Sequence, residues 1–280
     1  MYVPRWLRMI SRARSAPLVC FLFGIVLPVR DSASGGVLSR LVREQKTIVV
    51  DGVPETWRLK WDKRPTIACG ADDPSISGTC PCSGFAYGQQ GDLTLVLIRR
   101  GAVADRLELD PFFIRDELPG DGPAVLQRWP ASLKDVNIGD NDATLMREVV
   151  DRGSVDVMRF ADYDHDGGAT EFLLQIGTLP CGKHQMVLVG ISKRNRHLHV
   201  FRSVERPKEP LVLGSWQWEA LLKSHGTITT IEWPCGDHGS DYEWTDTLSA
   251  RDGLLHDVRK SRKCGRGEQE NAPFDSTPPR

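Results

Sequence analysis

The sequence lacks the motifs that most often mark a catalytic or nucleotide-binding site. No GxSxG, Walker A, GxGxxG or HExxH string occurs in its 280 residues, so the enzyme classes built on those motifs are not indicated. Net charge is also small, at −1, and the first 30 residues hold five arginines and no acid, which leaves −6 on the remainder. A mildly acidic chain is not typical of nucleic-acid-binding proteins. The sequence therefore predicts no nucleic-acid partner and no catalytic site.

No uninterrupted apolar run reaches the roughly 20 residues that a membrane-spanning helix needs. Residues 15–29 are uncharged and rich in Leu, Val, Ile and Phe, but Pro17, Gly24 and Pro28 interrupt them. Arginines precede this stretch and small residues follow it, which is typical of a secretory signal peptide. We therefore expect export to the periplasm or the extracellular space of a bacterium, with no membrane span after cleavage. The alternative is an uncleaved leader that anchors the chain to the inner membrane.

Cysteine is scarce, but its count is informative. One cysteine lies in the leader, and six remain: Cys69, Cys80, Cys82, Cys181, Cys235 and Cys264. An even number in an oxidising compartment predicts disulfide bonds, although the sequence allows many pairings. We expect Cys181 to pair with Cys235, and Cys69 or Cys264 to pair with Cys80 or Cys82.

Apolar and polar residues alternate in short runs separated by turn residues, which is typical of β-strands. We predict a mainly β fold of antiparallel hairpins and meanders, as an irregular sandwich or a partial propeller-like arrangement, with two short helices. Helical spacing places the helices at 143–151 and 216–223. The predicted strands are 47–50, 56–61, 93–97, 103–109, 155–160, 171–176, 185–191, 197–201, 227–231, 244–248 and 254–258.

Changes in composition divide the chain into five parts. A signal peptide at 1–34 precedes an N-terminal β region at 35–115. Residues 116–153 are rich in Gly, Pro, Asp and Asn and form a loop with the first helix. A C-terminal β region at 154–263 contains the acidic loop described next. The predominantly polar residues 264–280 predict a disordered tail.

Three aspartates alternate in the string DYDHDG, at Asp162, Asp164 and Asp166, before Gly167. Calcium prefers roughly six to eight oxygen ligands, and carboxylates at alternate loop positions converge when the chain wraps tightly. An EF-hand would place Glu at the twelfth position, where this loop has an apolar residue. The pattern predicts a calcium site formed by Asp162, Asp164, Asp166 and Glu171. A solvated acidic turn without metal is the alternative.

The segment MRFADYDHDGGATEFLLQIG resembles an FG-GAP or VCBS repeat, in which a DxDxDG calcium loop joins two strands of a four-stranded propeller blade. The resemblance extends from Val155 to Ser203 and implies a calcium ion, a strand on each side of the loop and an acid after the glycine. The family usually places that acid at the ninth loop position, which is Thr170 here, while Glu171 is the tenth. The resemblance thus implies either an extra loop residue or a backbone oxygen as ligand.

A pentapeptide PCGKH at 180–184 recurs as PCGDH at 234–238. Two such strings could form a Cys₂His₂ zinc site, but an exported protein favours a disulfide between the two loops, so zinc is not expected. His197 and His199 are two residues apart on a predicted strand and share a face. Together with His184 and His238 they form an alternative metal cluster, which would indicate a metal-dependent hydrolase.

Eight tryptophans are a further feature of this chain. Core packing is the usual role of tryptophan, although exposed tryptophans can stack on sugars. The sequence predicts an exported, disulfide-bonded, calcium-binding β protein with a binding or structural role at the bacterial envelope. Its expected partner is a protein or a polysaccharide.

Overall fold

The computed structural model describes residues 41–68, 88–115, 118–119, 124–127, 156–179 and 183–265. The predicted signal peptide, the predicted helix at 143–151, residues 266–280 of the predicted tail, and Cys69, Cys80, Cys82 and Cys181 lie outside the described residues. The part that is described is mainly β, with antiparallel sheets and no closed barrel, which confirms the predicted fold class.

The strands of the described ranges fall into five sheets with the orders β1-β2-β5-β6, β3-β4-β9, β7-β8, β10-β11-β12 and β14-β15-β16, and β13 pairs with β11. Their bounds are β1 Val42–Val50, β2 Val53–Trp61, β3 Thr66–Ala68, β4 Gly88–Gly91, β5 Leu93–Arg99, β6 Ala102–Glu108, β7 Ile114–Arg115, β8 Leu118–Pro119, β9 Ala124–Gln127, β10 Glu171–Leu179, β11 Lys183–Gly190, β12 His199–Val200, β13 Val212–Gly214, β14 Ile228–Trp233, β15 Tyr242–Arg251 and β16 Leu254–Lys263.

Two-residue turns close three of the hairpins. In each turn both residues have positive φ, and such turns match the right-handed twist of the flanking strands. The pairs are Asp51 and Gly52, Arg100 and Gly101, and Asp252 and Gly253. The second residue is always glycine, which adopts positive φ without steric cost.

The sheet β10-β11 lies between two hydrophobic cores. Alternation along β10 directs Phe172, Leu174 and Ile176 into the first core, together with Trp57 and other residues of the N-terminal sheet. On β11, Leu188 faces the second core, which also contains residues of β15 and β16. The first core therefore joins the N-terminal and C-terminal β regions across the predicted boundary at 116–153.

A single α-helix, α1 (Ser215–Lys223), occurs in the described ranges and confirms the helix predicted at 216–223. Its Trp218 and Leu221 are buried in the second core. Gln217 accepts a hydrogen bond from the Gly214 backbone N–H at 2.8 Å, which helps to fix the start of the helix. No helix in these ranges is long and apolar enough to cross a membrane.

The strand predicted at 155–160 is wrong for the residues from 156 onward. They form no strand, and a single bridge between Ala161 and Glu171 replaces the expected hairpin. The carboxylate of Glu44, on β1, accepts hydrogen bonds from the backbone N–H groups of Val157 at 2.6 Å and Met158 at 3.1 Å. Because a side chain binds these N–H groups, they do not join a strand ladder.

Cys235 pairs with Cys264, with a Cα–Cα distance of 5.6 Å. The predicted pairing of Cys235 with Cys181 is therefore wrong. Cys235 and Cys264 come together because β15 and β16 form a long antiparallel pair, so that the end of β16 lies beside the start of β15. There the Cys264 backbone N–H donates to the Asp241 carbonyl at 2.9 Å, close in sequence to Cys235.

Cys264→Ser should lower the free energy of unfolding by about 2 to 5 kcal/mol, because the disulfide restricts the unfolded chain. Urea denaturation of wild type and variant under non-reducing conditions measures this difference. Peptide mapping of the non-reduced protein should recover Cys235 linked to Cys264. Recovery of Cys235 linked to Cys181 instead would contradict the structure.

Candidate metal centre

The acidic loop connects the bridge at Ala161 to the first residue of β10. The Ala161 N–H donates to the Glu171 carbonyl at 2.9 Å, so the two ends of the loop are held together. Between them the chain turns sharply, with positive φ at His165 and Gly167. This tight turn brings alternate aspartates to one side, as the DxDxDG spacing predicts.

Three of the four predicted ligands converge. One carboxylate oxygen each from Asp162, Asp164 and Glu171 lies within 4.8 Å of the other two. Asp164 and Glu171 are both fully buried. This triad supplies only oxygen ligands, which suit a hard cation such as calcium.

Asp162 shapes the loop through backbone contacts. Its Oδ1 accepts a hydrogen bond from the Asp166 N–H at 3.0 Å, and its Oδ2 accepts one from the Gly167 N–H at 3.0 Å. The first aspartate therefore binds the far side of its own turn. Such side-chain-to-backbone bonds stabilise turns that have no strand or helix ladder.

Among the described residues, one carboxylate oxygen of Asp164 has no hydrogen-bond partner. Its Oδ1 accepts a hydrogen bond from the Asp166 N–H at 3.1 Å, whereas the buried Oδ2 has no hydrogen-bond partner among the described residues. Burial, followed by the charges of Asp166 and Asp162, raises the pKa of Asp164 to about 7. An unpartnered buried carboxylate oxygen is costly, and a bound cation would remove that cost.

Glu171 completes the triad from the start of β10. Its Oε2 accepts a hydrogen bond from the Tyr163 N–H at 3.0 Å, and its Oε1 is hydrogen-bonded to the Thr170 hydroxyl. Burial, followed by the charge of Asp164, raises the pKa of Glu171 to about 9. Thr170 at the ninth loop position thus contacts the acid, and Glu171 at the tenth position lies in the triad.

Asp166 is not part of the triad. Its Oδ1 accepts a hydrogen bond from the Gly168 N–H at 2.8 Å, and its Oδ2 accepts one from the Lys193 N–H. The Lys193 ammonium group also donates to the Asp166 carbonyl. This aspartate therefore connects the loop to the segment after β11.

Two glycines that were not predicted to be functional, Gly190 and Gly253, contact the acidic loop. A Cβ atom at Gly190 of β11 would lie 2.4 Å from the Thr170 carbonyl, so only glycine allows this approach. Gly253, in the turn between β15 and β16, donates its N–H to the Asp164 carbonyl at 3.0 Å. Gly190 has no local sequence signal, because its role depends on a distant segment. Gly253 follows Asp252 in an Asp-Gly turn, which is a local hairpin signal, but its contact with Asp164 depends on a distant segment.

The predicted histidine cluster does not assemble around His184 and His199. His199 is paired with Gly190 and His184 lies six residues earlier on β11, so the two are about 20 Å apart along the strand. His197 is exposed and lies beside Asp105, with 3.4 Å between Nδ1 and Oδ2. The side chain of His238 lies outside the described residues. The hydrolase alternative thus lacks the geometry that it requires.

The alternative zinc site is also incomplete. Cys235 forms a disulfide and has no thiolate to offer, and Cys181 lies outside the described residues. Among the residues that the structure describes, Asp162, Asp164 and Glu171 are the only group of three that could hold a metal ion.

Comparison of the chain with family models, curated proteins and solved structures found no match. The resemblance of Val155 to Ser203 to an FG-GAP or VCBS repeat therefore stays a prediction from the sequence.

In the absence of metal, the titration of Asp164 and Glu171 should lower the free energy of unfolding as the pH rises from about 4 to about 9. Unfolded carboxyl groups titrate near pH 4, whereas the folded pKa is about 7 for Asp164 and about 9 for Glu171. Each of these two carboxyl groups binds more protons in the folded state across this range, so their titration removes stability as the pH rises. Urea denaturation in EDTA at several pH values measures the slope.

Asp164→Asn is the matched variant, because the amide stays neutral at every pH in this range. The decline between about pH 4 and about pH 7 should become shallower in this variant. An unchanged slope would show that the Asp164 carboxylate is not a source of the pH dependence.

Proposed function

We propose that this chain is an exported β protein that binds calcium between Asp162, Asp164 and Glu171, and that it has a binding or structural role at the bacterial envelope. The observation that carries the proposal is the buried Oδ2 of Asp164, which has no partner among the described residues. A carboxylate oxygen in this position needs either a proton or a cation.

The charge around the triad favours a cation over a proton. None of the ion pairs between described residues involves Asp162, Asp164 or Glu171. The nearby ammonium group of Lys193 contacts the Asp166 carbonyl instead. Three carboxylates without a cationic partner repel one another, and a divalent ion would offset that repulsion.

Calcium suits the loop better than zinc or magnesium. Zinc prefers nitrogen and sulfur ligands, and the triad has neither. Magnesium demands nearly ideal octahedral geometry, whereas calcium accepts irregular sets of protein and water oxygens. An irregular loop with three carboxylates on one side therefore favours calcium.

The proposed role of the ion is structural. Asp164 contacts the β15–β16 turn through Gly253, and Asp166 contacts the segment after β11 through Lys193. Glu171 is followed directly by Phe172 of the first core. A cation held by the triad would therefore stabilise a junction between several parts of the fold.

Export is supported by the leader pattern at 1–34 and by the disulfide between Cys235 and Cys264, since disulfides persist mainly in oxidising compartments. Extracellular calcium reaches millimolar levels at which even weak sites fill. An exported location and a structural calcium loop are therefore mutually consistent.

Millimolar calcium should raise the melting temperature of the wild type, and EGTA should reverse the rise, because a ligand that binds only the folded state stabilises it. Asp164→Asn and Glu171→Gln should each abolish the response, since each removes one carboxylate of the triad. Differential scanning calorimetry measures the melting temperature, and titration calorimetry measures binding directly.

Glu209→Gln is the matched control for Glu171→Gln. Glu209 is exposed, and its substitution makes the same chemical change away from the loop, so calcium binding should remain at the wild-type level. A calcium response of equal size in wild type and Glu171→Gln, or no binding heat in the wild type, would refute the proposed site.

A further inference from the structure

A shallow cleft lies where the sheet β14-β15-β16 extends beyond the second core. Along β15, Leu248 and Asp246 are buried, and Trp244 on the same face is 36% exposed. Trp233 of β14 is the cross-strand partner of Trp244, so the two indoles are neighbours on one face. The cleft has a volume of about 240 Å³ and is lined by Gln185, Glu232, Trp233, Trp244 and Arg259.

The polar groups of the cleft are held in fixed positions. The Arg259 guanidinium group pairs with Asp246 Oδ1 at 2.8 Å and with Glu232 Oε2 at 2.8 Å. The Gln217 side-chain amide of α1 donates a hydrogen bond to Asp246 Oδ2 at 2.9 Å and so holds this buried carboxylate in place. The orientation of the guanidinium plane is therefore set before any ligand arrives, which lowers the entropic cost of binding.

The charge of the cleft argues against an anionic or cationic ligand. Arg259 is paired with two carboxylates, so it has no uncompensated charge to offer a phosphate or carboxylate ligand. A cationic ligand would have to compete with this guanidinium group for the same oxygens. The described lining groups therefore suit a neutral ligand with both hydrogen-bond donors and acceptors.

The combination of indoles with planar polar groups matches a sugar. The C–H face of a pyranose ring packs on an indole, and its hydroxyl groups both donate and accept hydrogen bonds, as carboxylate, amide and guanidinium groups require. Pockets for drug-sized molecules usually exceed roughly 300 Å³. The smaller volume of this cleft, about 240 Å³, suits about one sugar ring.

We propose that this cleft binds one sugar residue of a neutral polysaccharide, with the indoles of Trp244 and Trp233 packed on the ring. Glu232, Gln185 and Arg259 hydrogen-bond its hydroxyl groups. A sugar site would specify the partner in the binding role proposed above, so this inference rests on that proposed function. The cleft itself is separate from the calcium loop, because about 25 Å of β15 lies between Trp244 and the turn at Gly253.

Affinity electrophoresis in native gels tests the proposal. The full chain is run in calcium-containing gels with or without a soluble polysaccharide, using a β-glucan, a xyloglucan, a galactomannan, dextran and, as an anionic comparison, alginate. At least one neutral polysaccharide should retard the wild type. Trp244→Ala should weaken that retardation by about tenfold or more in apparent affinity, which corresponds to about 1.4 kcal/mol.

Two further variants separate stacking from general damage to the fold. Trp244→Phe keeps a smaller aromatic ring and should retain an intermediate affinity. Ile231→Ala is the control, because Ile231 is half-exposed on the opposite face of β14 and should leave the retardation unchanged. An unaltered melting temperature shows that each variant folds.

The proposal is overturned if no neutral polysaccharide retards the wild type, if alginate alone does so, or if folded Trp244→Ala is retarded as strongly as the wild type. Calcium titration of the same wild-type and Trp244→Ala samples keeps the two proposals apart. Calcium binding without retardation refutes only the sugar site, and retardation without calcium binding refutes only the metal site.

Discussion

The burial of two carboxylates next to each other, Asp164 and Glu171, is the constraint on which the rest of the structure depends. Burial favours the neutral form of each group and raises both pKa values. Without a cation, the fold keeps these groups only by holding protons that the unfolded chain would release. With a divalent ion the same two groups can remain charged, and the loop, which is otherwise costly, becomes stabilising.

The position of this loop connects the two buried carboxylates to well-packed parts of the fold. Glu171 has its side chain in the triad and its backbone paired with β11, and Phe172 immediately enters the first core. On the other side, the close approach of Gly190 to Thr170 leaves no room for a larger residue. A change at the triad is therefore transmitted to well-packed segments, because a packed interior has little space to absorb a shift.

Local sequence signals predicted the features that depend on local physics. Alternation found the main strands, and the aspartate spacing found the loop. Contacts between distant segments decided the rest. The Glu44 carboxylate accepts hydrogen bonds from backbone N–H groups in a segment that was predicted to be a strand. Cys235 lies next to Cys264 only because β15 and β16 are long. The strand β4 has the sequence GQQG, which contains no apolar alternation from which a strand could be predicted.

The two proposed sites lie toward opposite ends of β15, and this placement limits how they interact. Coupling between sites needs an element with two arrangements whose equilibrium both ligands change. The strand instead is paired along its whole length with β16, from Tyr242 to Arg251, and Leu248 and Ala250 pack in the second core. A continuous ladder with a packed face leaves little room for a second arrangement. Calcium at one end would therefore stabilise the sheet that presents the tryptophans without changing their intrinsic affinity for a sugar.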